Sequence, residues 1–417
     1  MARIGRARVA WATRCLCNAA ALDFRGMVWF TSSSDERRNR GRKTPTVVGY
    51  PPARRWLMKK VLLAYSGGLV NSVAIHWLRH QRRLRVVTFS ADLGQESDLE
   101  ALAELALDLG AESAHIADLR EAFLVEFAFP TLRAGARYEG VYPLATALSR
   151  PLIARELVRL AREDGAEFVA HGAGPKSNDQ VRFHSAVSSL APDLAVLSTW
   201  REWPFRSLDE IANYAMAHGI AVGDEYDTSG YTRDITIWGA RTSGGPLEDP
   251  TTEAPADAFC LTRDPREAAS EPAVVQIEFE VGVPVALDGV LMPPVLLVER
   301  LRELGCAHGI GRVDHLENRM FGTKVREVYE VPAAMIAYTA LESLQRLTLG
   351  KRALHLHAKL STEFAGLVYE GQWLSDVREA LSAFVDRLHE PVSGQVRVRV
   401  YRGSMTVVGV ESPDSIY

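Results

Sequence analysis

Cysteine is scarce in this sequence, and the spacing of the few cysteines argues against two classes of protein. The 417 residues contain four cysteines, namely Cys15, Cys17, Cys260 and Cys306. The close pair forms a C-x-C, and neither a second pair nor a histidine follows at the spacing of zinc ligands. A disulfide framework is equally poorly supported, so we expect a reducing, cytoplasmic setting.

Long apolar runs and a strong net charge are also absent. No window approaches the roughly 20 uninterrupted apolar residues of a membrane helix. The formal net charge is -4, with 47% hydrophobic and 24% charged residues, which is ordinary for a globular protein. This balance argues against a surface that coats nucleic acid, and we expect neither nucleic acid nor a membrane as a partner.

The first 57 residues differ in composition from the rest of the chain. They are rich in arginine and poor in acidic residues, and they have no sustained periodicity. Transit peptides have this composition, whereas a secretory signal fits poorly because Arg14 and Asp23 interrupt its apolar stretch. We favour a start at Met58, where MKKVLLAYSGG leads directly into a strand. Residues 1–57 are then a disordered or misassigned extension.

From Met58 onward, short apolar runs alternate with amphipathic stretches, which is typical of a parallel α/β sheet. We predict an α/β nucleotide-binding domain over 58–222, with Ser97 as the N-cap of one helix. An α+β domain over 223–417 follows, ending in a hairpin of 395–401 and 405–410. Because ligands of open α/β sheets lie beyond the carboxyl ends of the strands, the loops to consider are 66–72, 91–95 and 171–182.

The most informative local motif is Ser66-Gly67-Gly68, between a buried apolar run and a helical stretch. Two glycines let the backbone approach a ligand closely, and the helix start adds its positive end, so the turn suits an anion. It is not the GxxxxGK[ST] loop. It resembles the S-G-G-x-D-S loop of enzymes that cleave ATP between its α and β phosphates. An ordinary tight strand-to-helix turn would also use these residues.

Longer blocks resemble the argininosuccinate synthase family, in order and at family spacing. The first is AYSGGLVNS, where the family has AYSGGLDTS. The others are ADLGQ (91–95), ARYEGVYPLATALSRPLIAR (136–155), HGAGPKSNDQVRF (171–183), WREW (200–203), DEIANYAMAHGI (209–220), LEDP (247–250), GRVDHLENRMFGTKVREVYE (311–330) and ESP (411–413). The resemblance runs from about Met58 to the end of the chain.

This resemblance implies both a fold and a reaction. The implied fold is an adenine nucleotide α-hydrolase-like domain followed by a synthetase domain for substrate binding and multimerisation. Family enzymes use ATP, with Mg²⁺ expected, to adenylate the ureido oxygen of citrulline, and aspartate then displaces AMP. Such chemistry depends on holding the ligands in line and neutralising phosphate charge. A homo-oligomer is expected, which is a tetramer in the family.

Site residues carry over position by position. Those implied for ATP are Ala64, Tyr65, Ser66, Gly67, Gly68, Ser72, Ala91, Gly172 and Lys176. Those implied for citrulline are Tyr142, Asn178, Arg182, Thr232, Glu317 and Tyr329, and Asn178 and Asp179 are also implied for aspartate. No catalytic side chain or metal ligand is assigned.

The residue types fit these roles, but a structural interpretation is open for each. The guanidinium of Arg182 can bind an α-carboxylate through two parallel hydrogen bonds. The carboxylate of Glu317 could bind an α-ammonium group. Lys176 and Arg150 are candidate partners for phosphate or carboxylate. Alternatively, Arg182 and Glu317 form a structural ion pair, and the tyrosines Tyr142 and Tyr329 only pack.

The departures from the family are concentrated in the substrate loops. Val70 and Asn71 replace the aspartate and threonine of the phosphate loop, and a valine can neither coordinate Mg²⁺ nor accept a hydrogen bond. Gly174 and Pro175 replace a threonine and a glycine beside the aspartate site. Arg241 stands where the family has a serine for citrulline. The chain ends at Tyr417, before the family's C-terminal extension that helps to hold the tetramer.

Three interpretations follow from these departures. In the first, the protein makes argininosuccinate, and local changes compensate for the altered loops. In the second, it is a paralogue that joins another amine or ureido acceptor by the same chemistry. In the third, it is a binding-only relative, which Val70 would explain. An enzyme of the same type that acts on RNA is disfavoured by the acidic balance and by the match in the second domain.

Overall fold

The computed structural model describes residues 59–221 and 230–417. The expectation for residues 1–57 and the junction expected near residue 223 lie outside these ranges. The described residues belong to one compact unit.

The first part of the chain is built on a parallel five-stranded sheet with the order β3-β2-β1-β4-β5. Its strands are β1 Lys60–Ala64, β2 Arg85–Asp92, β3 Ser113–Asp118, β4 Phe168–His171 and β5 Ala195–Ser198. The apolar residues of β1 are buried on both faces of the sheet. Val61 and Leu63 belong to one buried cluster, and Leu62 belongs to the other. A strand covered on both faces reads as continuously apolar, as the sequence predicted.

Helices pack on both faces of this sheet. They are α1 Leu69–His80, α2 Leu99–Asp108, α3 Arg120–Phe123, α4 Phe129–Arg133, α5 Ser149–Asp164, α6 Asp179–Leu190, α7 Thr199–Glu202 and α8 Leu208–Ala217, with a π-helical turn Leu124–Ala128 between α3 and α4. The prediction that Ser97 caps α2 is wrong by one residue. The cap is Asp98, whose side chain accepts a hydrogen bond from the amide of Ala101 at 2.8 Å. A carboxylate at this position also suits the positive end of the helix.

The second part contains two antiparallel sheets, with the strand orders β10-β9-β8-β13-β14 and β11-β12-β7-β6. The strands are β6 Tyr231–Thr236, β7 Gly239–Gly244, β8 Ala273–Glu280, β9 Val283–Leu287, β10 Val290–Leu291, β11 Arg312–Asn318, β12 Lys324–Glu330, β13 Gly394–Tyr401 and β14 Ser404–Glu411. The helices are α9 Pro294–Ala307, α10 Pro332–Thr348, α11 Lys351–Tyr369 and α12 Asp376–Leu388, with short 3-10 turns Gly245–Glu248 and Ala256–Ala258. The α+β class is thereby confirmed.

The predicted C-terminal hairpin is confirmed as β13 and β14. Its turn residues Arg402 and Gly403 both have positive φ, at 43° and 79°, which gives the twist that two-residue hairpin turns need. The alternation of β13 buries Val396, Val398 and Val400 completely. Sequence analysis did not find the hairpin of β6 and β7, which falls in a segment dense in Gly, Thr, Ser, Asp and Pro, nor helix α11.

The apolar core is continuous through both parts of the described chain. One buried cluster extends from Leu62 in β1 through Trp238 and Tyr329 to Val400 in β13. The sheet β11-β12-β7-β6 therefore shares its apolar core with the parallel sheet. None of the described helices combines the length and the apolarity that crossing a membrane requires.

Candidate active site

A cleft of about 1270 Å³ opens at the carboxyl ends of the parallel strands. The strand order reverses direction between β1 and β4, which is where ligands bind in open α/β sheets. The loops after β1, β2 and β4 form one side of the cleft, and residues of β6, β7, β11 and β12 form the other. All three loops predicted from the sequence contribute to it.

Most of the predicted site residues line this one cleft. They are Ala64, Tyr65, Ser66, Ala91, Tyr142, Arg150, Gly172, Lys176, Asn178, Asp179, Arg182, Thr232, Glu317 and Tyr329, together with the departures Val70, Asn71, Gly174, Pro175 and Arg241. Gly67, Gly68 and Ser72 belong to the same loop but do not line the cleft. Ser72 is fully buried, and its hydroxyl donates to the carbonyl of Gly67 at 3.1 Å.

The turn after β1 has the backbone that the sequence predicted. Gly67 has φ +79°, a conformation that favours glycine, and α1 begins two residues later at Leu69. A β-carbon at Gly67 would lie 2.2 Å from Cδ2 of Leu102. The hydroxyl of Ser90 donates to the carbonyl of Tyr65 at 2.9 Å, which ties the turn to β2. The turn is therefore tied to β2, and Gly67 lies close to the side chain of Leu102 in α2.

The two departures in this turn have different surroundings. Val70 lines the cleft, as the sequence comparison suggested. Asn71 donates from Nδ2 to the hydroxyl of Ser66 at 3.0 Å, whereas its Oδ1 is buried and has no hydrogen-bond partner among the described residues. Gly172 fits closely beside it, since a β-carbon at Gly172 would lie 2.0 Å from that oxygen. The Oδ1 of Asn71 is therefore a buried amide oxygen without a hydrogen-bond partner next to the turn after β1.

The loop after β4 is organised by side-chain bonds to its backbone. Gln180 donates to the carbonyls of Ala173 and Gly174 at 3.1 and 2.9 Å. Lys176 is exposed, and its carbonyl accepts from Arg319 at 3.0 Å. Asn178 is buried and forms the N-cap position of α6. The hydrogen bond from Arg319 to the carbonyl of Lys176 joins the loop to the end of β11.

Asp179 is the centre of a buried charge network. It accepts from Arg182 at 2.8 Å and from Arg150 at 3.1 Å, and Arg150 also donates to Asp234. Burial alone would raise the pKa of Asp179, but the charges of Arg150, Arg182 and Arg241 more than offset it. The pKa of this carboxyl therefore lies well below its usual range, and Asp179 is ionised throughout the physiological range.

Four tyrosines and Glu317 form the wall next to this network. Glu317 is 3% exposed and accepts hydrogen bonds from the hydroxyls of Tyr329 and Tyr369. The ring of Tyr142 stacks on Tyr329 with centroids 3.8 Å apart, and Tyr138 stacks on Tyr369 at 3.5 Å. Burial raises the pKa of Tyr329 well above its ordinary value, so the phenol stays a hydrogen-bond donor.

Arg182 and Glu317 do not pair with each other. Besides its bond to Asp179, Arg182 donates from Nε to the carbonyl of Tyr369 at 2.9 Å. The structural ion pair considered for these two residues is therefore not formed, although each residue has other protein partners. The two tyrosines do pack, and Tyr142 is additionally hydrogen-bonded to Thr146 at 2.9 Å.

Four cleft residues that the sequence analysis did not single out belong to the same wall. They are Asp234, Arg319, Glu327 and Tyr369. Strand alternation could have indicated that Asp234 and Glu327 face the cleft. They pair in register with Arg241 and Ser243 of β7, and in-register neighbours of antiparallel strands share a face. Tyr369 lies at the end of α11, a helix that the sequence analysis did not predict, so nothing local identified it.

Comparison with protein-family models gives two matches that together cover most of the chain. Residues 60–221 match the model described as the arginosuccinate synthase N-terminal HUP domain. Residues 231–417 match the model described as the arginosuccinate synthase C-terminal domain.

Curated relatives give the same result over most of the chain. The chain is 47% identical over 360 residues to argininosuccinate synthase of Pelotomaculum thermopropionicum. The aligned region covers 86% of this chain and 90% of the relative. Argininosuccinate synthases of Desulfitobacterium hafniense and Chlorobaculum tepidum are each 46% identical over 360 residues, with the same coverage of 86% and 90%.

Proposed function

The chain belongs to the argininosuccinate synthase family, and on that premise we propose that it is an ATP-dependent ligase that joins a citrulline-type ureido acid to aspartate. AMP and pyrophosphate are the other products. The observation that carries this proposal is the Ser66-Gly67-Gly68 turn, which lies at the strand-order reversal and opens into the same cleft as Asp179 and Glu317.

In the first step the ureido oxygen attacks the α-phosphorus of ATP. The bond from that phosphorus to the bridging oxygen of the β-phosphate breaks, and pyrophosphate leaves. The exposed amides of the turn and the N-terminal end of α1 favour the negative charge of the phosphates. Lys176, on the opposite loop, is an exposed cation that we assign to the same phosphates.

In the second step the amine nitrogen attacks the ureido carbon. AMP departs with the electrons of the carbon–oxygen bond, and the nitrogen loses a proton. We assign Asn178 and Asp179 to the amine substrate and Tyr142, Arg182, Thr232, Glu317 and Tyr329 to the ureido substrate. Holding both substrates against the nucleotide can supply a large part of the rate enhancement of such a site.

We propose that Mg²⁺ enters this site on the phosphates of ATP. Mg²⁺ commonly keeps several waters and binds proteins through a few oxygens plus substrate phosphates. Among the residues that the structure describes, no group of three or more His, Cys, Asp or Glu side chains is arranged to hold a metal ion. The Oδ1 of Asn71 is buried against Gly172, so we assign no side-chain ligand of the turn to the ion.

Isotope exchange between pyrophosphate and ATP tests the proposed function. We expect exchange that depends on citrulline, and stoichiometric AMP and argininosuccinate once aspartate is added. The purified chain should be checked for folding by circular dichroism in the same samples. A folded chain without exchange in the presence of any ureido acid would leave only binding. Exchange followed by product formation with another amine but not with aspartate would reassign the amine.

The Val70→Asp variant tests how the phosphate turn tolerates its missing carboxylate. We expect kcat/KM for Mg²⁺-ATP to rise by about tenfold, equivalent to about 1.4 kcal/mol, because the new carboxylate gives Mg²⁺ an anionic oxygen ligand that valine lacks. Val70→Asn is the matched uncharged control and should change the rate less. A fall in Val70→Asp would mean that the turn is adapted to work without that charge.

We also propose the division into a nucleotide-binding domain over 58–222 and a synthetase domain over 223–417. The two family-model matches, at 60–221 and 231–417, support it. A homo-oligomer in the cytoplasm is the setting we propose for the enzyme. The free thiols of Cys260 and Cys306 are consistent with a reducing compartment.

A further inference from the structure

Arg241 is a cleft arginine whose guanidinium makes no hydrogen bond within the described residues. Its Nε is buried and unpartnered, and its nearest ionic neighbour is Glu327, with 3.8 Å between Nη1 and Oε1. That distance is longer than a direct hydrogen bond. An arginine held by charge but not by hydrogen bonds keeps its planar fork of donors available for another group.

The strand register shows where this guanidinium lies. Arg241 pairs with Asp234 on one side and with Tyr329 on the other. In the next row of the same face, Ser243 pairs with Thr232 and with Glu327. Because in-register neighbours point to the same side of a sheet, both rows face the cleft that the phosphate turn opens into.

Three other arginines of the cleft donate side-chain hydrogen bonds to the protein. Arg150 donates to Ser149, Asp179 and Asp234, and Arg182 donates to Asp179 and to the carbonyl of Tyr369. Arg319 donates to the carbonyl of Lys176. Arg241 differs from these three because none of its donors forms a hydrogen bond within the described residues.

Glu327 keeps Arg241 in place. This carboxylate is 1% exposed, its Oε2 has no partner among the described residues, and Oε1 lies 3.6 Å from Arg319 and 3.8 Å from Arg241. Burial raises the pKa of Glu327, and the charges of Arg241 and Arg319 oppose that rise. The two cations therefore hold this carboxylate, and it in turn limits how far Arg241 can move.

We propose that Arg241 determines substrate specificity by binding the carboxylate of the ureido acid through its free donors, with Glu327 as its positioning residue. This deepens the proposed function and rests on it. A guanidinium and a carboxylate make two parallel charge-assisted hydrogen bonds, which gives direction as well as affinity. Arg241 lies in register with Tyr329 on the wall assigned to the ureido substrate, whereas the amine is assigned to the start of α6.

The test compares citrulline with 4-ureidobutylamine, which is citrulline without its carboxylate, in pyrophosphate exchange. We expect the wild type to prefer citrulline strongly in kcat/KM. In Arg241→Ser that preference should fall by about 10- to 100-fold, the range for one charge-assisted bond. The loss should be in KM for citrulline, with kcat nearly retained, because the carboxylate is remote from the reacting oxygen. Arg241→Lys should recover part of the preference.

Two further variants separate recognition from structure. Arg326→Ser removes an arginine from the opposite face of the same sheet, where Arg326 bonds to Asp314 at 2.8 Å, and should leave the preference unchanged even if stability falls. Glu327→Gln should lower the preference in the wild type but not further in Arg241→Ser. Such non-additivity is expected only if Glu327 acts through Arg241.

Each remaining outcome decides the inference. An unchanged preference in Arg241→Ser overturns it, whatever the effect on the unfolding midpoint. If the preference for aspartate over 3-aminopropanoate falls instead, Arg241 binds the amine substrate and the assignment to the ureido acid is wrong. If no ureido compound supports exchange, the proposed function fails separately, and calorimetric binding of the same two probes to wild type and Arg241→Ser still tests the carboxylate contact.

Discussion

Replacing Arg150 with alanine is expected to lower the free energy of unfolding by about 3–5 kcal/mol, the range for breaking one side of a buried ion pair. Arg150 extends from α5 to Asp179 at the start of α6 and to Asp234 in β6, and its side chain is only 14% exposed. Without it, Asp234 loses the arginine that donates to it, and Asp179 retains only Arg182 as a hydrogen-bonded cation. Urea unfolding followed by circular dichroism measures the change.

The pH dependence of this loss identifies its cause. The pKa of Asp179 is lowered in the folded state, so its ionised form stabilises the fold above the ordinary carboxylate pKa. That contribution is lost progressively as pH falls below about 4. The difference between wild type and Arg150→Ala should therefore narrow in acid. A difference that stays constant down to pH 3 would mean that Arg150 stabilises the fold by packing alone. Arg150→Lys keeps the charge without the fork and should lose less.

The elements that sequence analysis found are those whose signal is local. The strand, glycine turn and helix from Lys60 to His80 can be predicted because apolar run, turn residues and helical spacing follow each other directly. The hairpin of β13 and β14 can be predicted because strict alternation brackets a turn. The N-cap of α2 could not be chosen from the sequence, because Ser97 and Asp98 are both good capping residues. Only the backbone conformation selects Asp98.

The charge network of the cleft could not be predicted in the same way. Arg241 was recognised as a large change from the family residue, but its neighbour Glu327 comes from a distant strand. Only the register of β7 against β12 brings them together. A structural ion pair between Glu317 and Arg182 was the alternative to their substrate roles, yet Tyr369 accepts a hydrogen bond from Arg182 and donates its own hydroxyl to Glu317. Tyr369 is placed by the packing of α11, which is a tertiary effect.

Replacing Gly67 with alanine is expected to lower kcat/KM for ATP by about 100-fold, the loss expected when reacting groups are displaced by about 1 Å. Alanine at φ +79° is strained, and its β-carbon would lie 2.2 Å from Cδ2 of Leu102. The end of the Leu102 side chain can turn aside, but the positive φ still strains alanine, and the backbone shift that relieves this strain carries the amides of the turn with it. Steady-state pyrophosphate release over a range of ATP concentrations measures the effect.

Gly68→Ala is the matched control for strain in the same turn. Gly68 has φ -67°, and a β-carbon there would meet no atom within 4 Å, so the backbone need not move. We expect its loss to stay below about tenfold, since only contact with the nucleotide itself is affected. Leu102→Ala in the Gly67→Ala background removes the clash but not the strained φ, and should recover part of the activity. If Gly67→Ala binds and turns over ATP as well as Gly68→Ala does, the turn after β1 does not position the phosphates, because a displaced backbone would then have no consequence for the reaction.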